Sequence, residues 1–216
     1  MWLKAGLNLS TSIVISFGIM GLFSTTVSAQ NIKCPNEQSD FFRKVCQQQY
    51  QTLRESLQNQ HLAAFLVTDA PIKLIQDTQN LWVSHANQCK SKQCIQQQLE
   101  YRIDDLNFYT SINQSLTQHY LKYDHGKLIQ NPIHLQIHQL GKDKIKIEGR
   151  AYRNPNNRIE TQHTSFLAYT DPEHKTEITD NENDCKYQFQ FQKTILKVST
   201  EQKGCERFSG IYRLYD

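Results

Sequence analysis

In the first half of the chain the apolar residues recur every three or four positions, the spacing of helices that bury one face. Three such stretches follow one another: one from Ser39 to about Gln60, one that starts after Pro71, and one that starts after Cys94. Ser39 or Asp40 is suited to cap the first stretch, and proline favours the start of the second. The pattern predicts a small helical domain.

Near residue 120 the pattern changes to an alternation of apolar and polar residues, which is typical of antiparallel strands with one buried face. The alternating or strand-like stretches are 133–139, 144–148, 164–170, 186–192, 195–200 and 208–214. We expect an α+β fold, with a helical domain at residues 30–120 and an antiparallel β domain at 121–216. A barrel and a sandwich fit the β pattern equally well.

Residues 1–29 have the layout of a secretory signal: Lys4, an apolar run at 13–23, and Val27-Ser28-Ala29 at the cleavage position. A membrane anchor is the alternative, but the run is shorter than the roughly 20 residues that a span needs. The residues before Cys34 lack a lipoprotein box. We therefore expect a periplasmic or secreted protein with no stable membrane insertion once the signal is cleaved after Ala29.

Composition narrows the class of protein. The 216 residues carry a formal net charge of +3, 21% of them are charged and 10% are aromatic, and the mean hydropathy is −0.64. These values exclude a polytopic membrane protein and a disordered chain. Because no block of lysines and arginines is present, nucleic acid is not an expected partner.

Six cysteines lie after the predicted signal. An even number in an exported chain indicates three disulfides, for which the sequence alone allows fifteen connectivities. Zinc binding by Cys89-x4-Cys94 is the alternative, but a second pair of ligands at zinc-finger spacing is missing from the sequence. The cysteines are Cys34, Cys46, Cys89, Cys94, Cys185 and Cys205.

Several fixed spacings in the helical half, over about 75 residues, resemble the N-terminal domain of the LprI-type lysozyme-inhibitor family. They are Cys34 with Cys46, Trp82-x6-Cys89-x4-Cys94-Ile95, and Arg102-Ile103-x2-Leu106. Ala86 departs from the family pattern, which has an arginine at that position. The β half looks like the domain that often follows this module in Gram-negative envelope proteins, on the residues Cys185-x-Tyr-x-Phe and Phe208-x-Gly210-x-Tyr212-Arg213.

The resemblance and the short loops involved both favour a local disulfide connectivity. We expect Cys34 to pair with Cys46, Cys89 with Cys94, and Cys185 with Cys205. The last pair would tie the two strands of a hairpin together.

The resemblance implies an exported protein that binds lysozyme and occludes its cleft. The alternative is an envelope interaction protein that binds peptidoglycan or a secreted toxin. A small-molecule carrier is a third class, which needs an apolar cavity inside the β domain. We do not expect an enzyme or a cofactor, because the sequence has no nucleophile elbow, metalloprotease helix or phosphate loop.

Two segments are candidates for contact with a partner. Residues 171–184 hold six acidic residues against Lys175, a net charge of −5 with histidine neutral, and could steer the protein onto a basic lysozyme. An ordinary solvated loop is the alternative. The sequence at residues 152–158 predicts a hairpin tip, from which Arg153 and Arg158 could reach the carboxylates of a glycosidase cleft. The alternative is a turn whose Asn and Pro residues serve the backbone conformation alone. The six acids are Asp171, Glu173, Glu177, Asp180, Glu182 and Asp184.

The remaining candidates have simpler interpretations. Trp82, Ile103 and Leu106 are expected in the core, and Arg102 in a structural role, for which Asp104 and Asp105 are possible partners. His134 and His138 share one face of a strand; a solvent-exposed polar face is favoured over a metal pair, so we expect no metal site.

Overall fold

A computed structural model describes residues 32, 34, 40–111, 116–157 and 161–215. The predicted signal at 1–29 lies outside these residues. Among the helices described, none is both long enough and apolar enough to cross a membrane.

Among the described residues, the N-terminal part contains four α-helices: α1 (Asp40–Val45), α2 (Gln51–Val67), α3 (Ile72–Ala86) and α4 (Lys92–Ser111). The single helix predicted from Ser39 to Gln60 is wrong, since a 3-10 turn at Gln48–Tyr50 separates α1 from α2. The break is stabilised from both sides. Cys46 forms a disulfide with Cys34, and Arg54 donates a hydrogen bond to the Val45 carbonyl at 2.8 Å.

The helices pack around a core that includes Trp82 and Leu106, as predicted. Trp82 meets Phe41 edge-to-face, with 5.5 Å between the ring centroids, and its indole Nε1 donates to the Gln98 carbonyl at 2.8 Å. Leu106 is fully buried, whereas Ile103 is partly buried against the same core.

In the part of the chain that the structure describes, nine strands form one antiparallel sheet in the order β5-β4-β3-β1-β9-β8-β7-β6, with β2 paired to the end of β1. Three of them, β1, β2 and β6, were not predicted. The strands are β1 (Thr117–Asp124), β2 (Lys127–Leu128), β3 (Ile133–Gly141), β4 (Lys144–Tyr152), β5 (His163–Thr170), β6 (Glu177–Asp180), β7 (Cys185–Gln192), β8 (Ile195–Ser199) and β9 (Gly210–Tyr215).

The sheet curls into a nearly closed barrel, which decides between the two predicted architectures. Its seam lies between β5 and β6. There the Asn181 backbone N–H donates to the Leu167 carbonyl at 2.7 Å, and the Leu167 N–H donates to the Asp180 carboxylate at 3.0 Å. A side-chain carboxylate therefore takes the place of a backbone carbonyl in closing the barrel.

Aromatic side chains fill the barrel. Phe208, on a 3-10 turn at Glu206–Phe208, packs against Phe166 with 5.2 Å between ring centroids, and Phe189 and Tyr212 are fully buried beside them. Gly149 sits where a Cβ atom would come within 2.6 Å of Leu135 Cδ2. This packed interior gives no support to a carrier that holds its ligand inside the barrel.

The helices and the barrel share a core. Leu121 of β1 and Tyr215 of β9 belong to the buried cluster of the helical part, and the Tyr215 hydroxyl donates to Asp77 Oδ2 on α3 at 2.7 Å. The predicted boundary at residue 120 falls inside β1, which begins at Thr117.

All three predicted disulfides are confirmed, two in the helical part and one in the barrel. Their Cα–Cα distances are 5.7 Å for Cys34–Cys46, 5.5 Å for Cys89–Cys94 and 5.7 Å for Cys185–Cys205. Such bonds are typical of proteins that fold in an oxidising compartment.

Candidate functional site

The acidic segment, residues 171–184, runs along the barrel seam. It begins with a turn that follows β5, continues through β6 and ends in the turn before β7. It is thus partly a strand, whereas the sequence indicated only a turn. β6 pairs with β7 on one side, and its outward-facing residues include Glu177.

Asp180 does not belong to the partner-binding set, and its assignment there is wrong. It is 0% exposed and accepts three hydrogen bonds: from the Leu167 N–H at 3.0 Å, the Glu182 N–H at 3.0 Å and the Asn183 side-chain amide at 2.6 Å. Because this carboxylate closes the barrel, a partner cannot reach it.

The other acidic residues of the segment lie at the surface. Glu173, Glu177, Glu182 and Asp184 are exposed, and Asp171 is partly exposed. Asp171 accepts the Glu173 and His174 backbone N–H groups at 2.8 and 2.9 Å, and a hydrogen bond with the His174 ring lowers the pKa of Asp171 and raises that of His174. The segment therefore presents fixed negative charge on an ordered turn.

Lys175 is a cation placed among these acids. Its Nζ lies 5.5 Å from the centroid of the Phe191 ring on β7, within the range of a cation–π contact. The side chain is exposed and lies between Glu173 and Glu177 in sequence. The acidic segment thus combines an anionic surface with one amine held over the barrel wall.

The second predicted segment is docked against the helical part. The Asn156 side-chain amide donates to the Gln88 carbonyl at 2.6 Å, and its oxygen accepts the Lys90 N–H at 2.8 Å. Arg153 donates to Thr164 Oγ1 at 3.2 Å, and Arg158 lies outside the described residues. A tip held on the Cys89–Cys94 turn in this way is not a free loop that could enter a cleft.

A polar cluster that the sequence did not predict lies between the helices and the barrel. Asp105 of α4 forms an ion pair with Arg150 of β4 and accepts the Tyr152 hydroxyl at 2.7 Å. Arg102 is 2% exposed and donates to Gln79 Oε1 at 2.9 Å and Thr78 Oγ1 at 3.4 Å. The structural role expected of Arg102 therefore involves neutral partners on α3.

The histidines of β3 lie on a face that the helices cover, so the predicted solvent-exposed pair is wrong. His138 is 4% exposed, with its ring 5.7 Å from that of Phe108 on α4, and its Nε2 lies 3.1 Å from Glu148 Oε2. His134 Nε2 lies 3.2 Å from Nδ1 of His119, which is fully buried.

Burial lowers the pKa of several histidines in and around this layer. The pKa falls to about 3 for His119, where nearby His138 adds to the effect, and to about 4 for His85. The pKa of His134 is also far below its ordinary value. In the part of the chain that the structure describes, no three His, Cys, Asp or Glu side chains come together as a metal site would need.

Comparison with protein-family models, with curated proteins and with solved structures gives no significant match to this chain.

Proposed function

We propose that this chain is an exported, non-enzymatic protein that inhibits lysozyme by binding it through the acidic segment. The observation that carries the proposal is the exposed set of carboxylates on an ordered, seam-lining turn of a disulfide-bonded barrel. The LprI-like spacing of the helical half points to the same class of partner.

Charge is the physical basis of the proposed encounter. The acidic segment carries a net charge of −5, whereas the rest of the chain is net positive. A surface of this kind attracts a basic enzyme in a fixed orientation and raises the association rate, an effect that salt weakens. The exposed acids lie on one side of the barrel. In the proposed complex this side is therefore the face that contacts lysozyme.

Occlusion needs a group that enters the glycan-binding cleft as well as a surface that meets its rim. Lysozyme hydrolyses glycans with a pair of carboxyl groups that flank the scissile bond. In the proposed complex the amine of Lys175 faces these carboxyl groups, while Glu173 and Glu177 face the basic rim. Lys175 takes the role expected of Arg153, because Arg153 is held against the barrel by Thr164.

A turbidity assay on bacterial cell walls tests the proposal. We expect the purified protein to slow lysis by a basic lysozyme, and the double variant Glu177→Lys/Glu182→Lys to lose that effect. The matched control Glu55→Lys/Asp69→Lys, with the same two charge reversals on exposed helical-part residues, should inhibit like wild type. Unchanged lysis at a several-fold molar excess of wild-type protein would overturn the proposal.

The role of Lys175 has its own test. Lys175→Glu should abolish inhibition, although it makes the segment more acidic, while Lys197→Glu on β8 should have little effect. If Lys175→Glu inhibits better than wild type, charge attraction alone explains binding. Sedimentation with purified sacculi separates inhibition from glycan binding, because a protein that coats the cell wall would pellet with it.

A further inference from the structure

A cavity of about 290 Å³ lies between α3, α4 and the outer face of β3 and β4. Gly149 and Phe166 of the barrel also line it, and its polar residues from α4 include Gln98, Arg102 and Asp105. A water molecule occupies about 30 Å³ in the liquid, so the space holds on the order of ten water-sized groups. The wall includes Trp82, His85, Gln98, Arg102, His134 and Arg150.

The buried side chain of Gln98 is the observation that indicates a ligand in this cavity. It is 1% exposed, and within residues 40–111, 116–157 and 161–215 neither its side-chain oxygen nor its nitrogen has a hydrogen-bond partner. Its backbone carbonyl accepts a hydrogen bond from the Trp82 indole at 2.8 Å. Because a buried amide without partners is costly, Gln98 is placed to accept one hydrogen bond and to donate others to an occupant.

The lining holds two arginines and three acids, and the charge among them that favours an anionic occupant is the buried guanidinium of Arg102. Arg102 and Arg150 each carry a guanidinium group, and the nearby carboxylate is that of Asp105. Asp105 forms its ion pair with Arg150. Arg102 itself is hydrogen-bonded to neutral groups. Two further acids line the space: Glu148 is paired with Lys146 at 2.7 Å, and Glu182 is exposed.

The helix α4 brings the relevant groups onto one face. Gln98 and Arg102 are four residues apart, so their side chains neighbour each other along the helix. The apolar part of the wall includes Trp82 and Leu121. His85, 2% exposed, is a neutral ring because burial lowers its pKa to about 4, with the Asn131 side chain opposing part of that shift.

We propose that this cavity binds a small monocarboxylate, with its carboxylate against Arg102 and the Gln98 amide and its apolar body against Trp82. The site lies under the helices, so the inference goes beyond lysozyme inhibition and does not depend on it. The expected ligand is a metabolite-sized acid of roughly ten non-hydrogen atoms, as the volume allows.

Fluorescence of Trp82 gives a direct readout, since the only other tryptophan is Trp2 in the predicted signal. The probes are cyclohexanecarboxylate and its uncharged isostere cyclohexanecarboxamide, with acetate as a smaller acid. We expect a saturable change with cyclohexanecarboxylate and at least about tenfold weaker binding of the amide, the loss of one charge-assisted interaction. Equal binding of acid and amide, or no response to either acid, would overturn the proposal.

A variant pair tests the assigned residue. Gln98→Leu should weaken cyclohexanecarboxylate at least about tenfold while the thermal midpoint stays the same or rises, because a buried amide without partners is removed. Gln96→Leu, an exposed position on the same helix, should bind like wild type. Wild-type affinity in Gln98→Leu would show that the amide has no part in binding and would contradict the site as assigned.

Discussion

Three buried histidines make the fold sensitive to mild acid. His61, His85 and His119 are 8%, 2% and 0% exposed. Burial lowers the pKa of His61 and His85 to about 4 and that of His119 to about 3, and Arg102 adds to the shift of His61. The unfolded chain titrates its histidines near pH 6.5.

The direction follows from which state binds the proton. Below pH 6.5 the histidines of the unfolded chain bind protons, whereas the buried histidines of the folded chain stay neutral. The free energy of unfolding therefore falls as the pH drops from 6.5 toward the folded pKa values. Above pH 6.5 both states are neutral at these positions and the contribution is constant. Glu148 and Asp171, whose pKa values are lowered, lose their contribution only at lower pH.

The magnitude is large compared with the stability of a typical domain. One such histidine costs up to about 1.4 kcal/mol per pH unit, hence about 2 kcal/mol between pH 7 and pH 5. Three of them together cost on the order of 5 kcal/mol, against a usual stability of about 5–15 kcal/mol. We expect the protein to lose about a third or more of its stability by about pH 5.

Urea unfolding at several pH values between 7 and 5 measures this effect. His119→Gln should reduce the pH slope of the unfolding free energy by about 1.4 kcal/mol per pH unit, because one of the buried groups no longer titrates. The control His125→Gln changes a histidine whose side chain is 93% exposed and should keep the wild-type slope. A wild-type stability that does not change from pH 7 to pH 5, or a His119→Gln slope equal to that of wild type, would show that the buried histidines do not set the pH dependence.

Two further predictions concern the barrel. Asp180→Ala removes the acceptor of three hydrogen bonds at the seam and should lower the free energy of unfolding by about 2–4 kcal/mol, measured by chemical denaturation. The control Glu182→Ala changes an exposed acid and should stay within about 0.5 kcal/mol of wild type. Gly149→Ala should lower the free energy of unfolding by about 1–3 kcal/mol, because the added Cβ overpacks the barrel. Gly141→Ala should lower it less, because a Cβ there meets open space. Equal losses at the two glycines would contradict the packing explanation.

The regular strands were predictable because one of their faces is buried and the other is not. In β7 the alternation of apolar and polar residues matches the alternation of burial along the whole strand. In β1, by contrast, His119, Tyr120 and Leu121 are all buried, so both faces are covered and the period of two disappears. A pattern search therefore misses the strand on which the helices rest.

The character of the polar face was not predictable in the same way. Alternation in β3 shows that the histidine face differs from the apolar face, but it does not show what covers it. Here α4 lies over that face, and His138 becomes as buried as a core residue. Likewise Asp180 and Glu177 are both acids of one segment, and only the barrel seam distinguishes the buried carboxylate from the exposed one.

Calorimetric titration of the protein into a basic lysozyme, at low and at physiological ionic strength, measures whether the acidic segment drives the proposed binding. We expect a one-to-one complex whose affinity falls as salt increases, because the acidic segment supplies the attraction. An absence of binding at low ionic strength, or an affinity that does not change with salt, would contradict it.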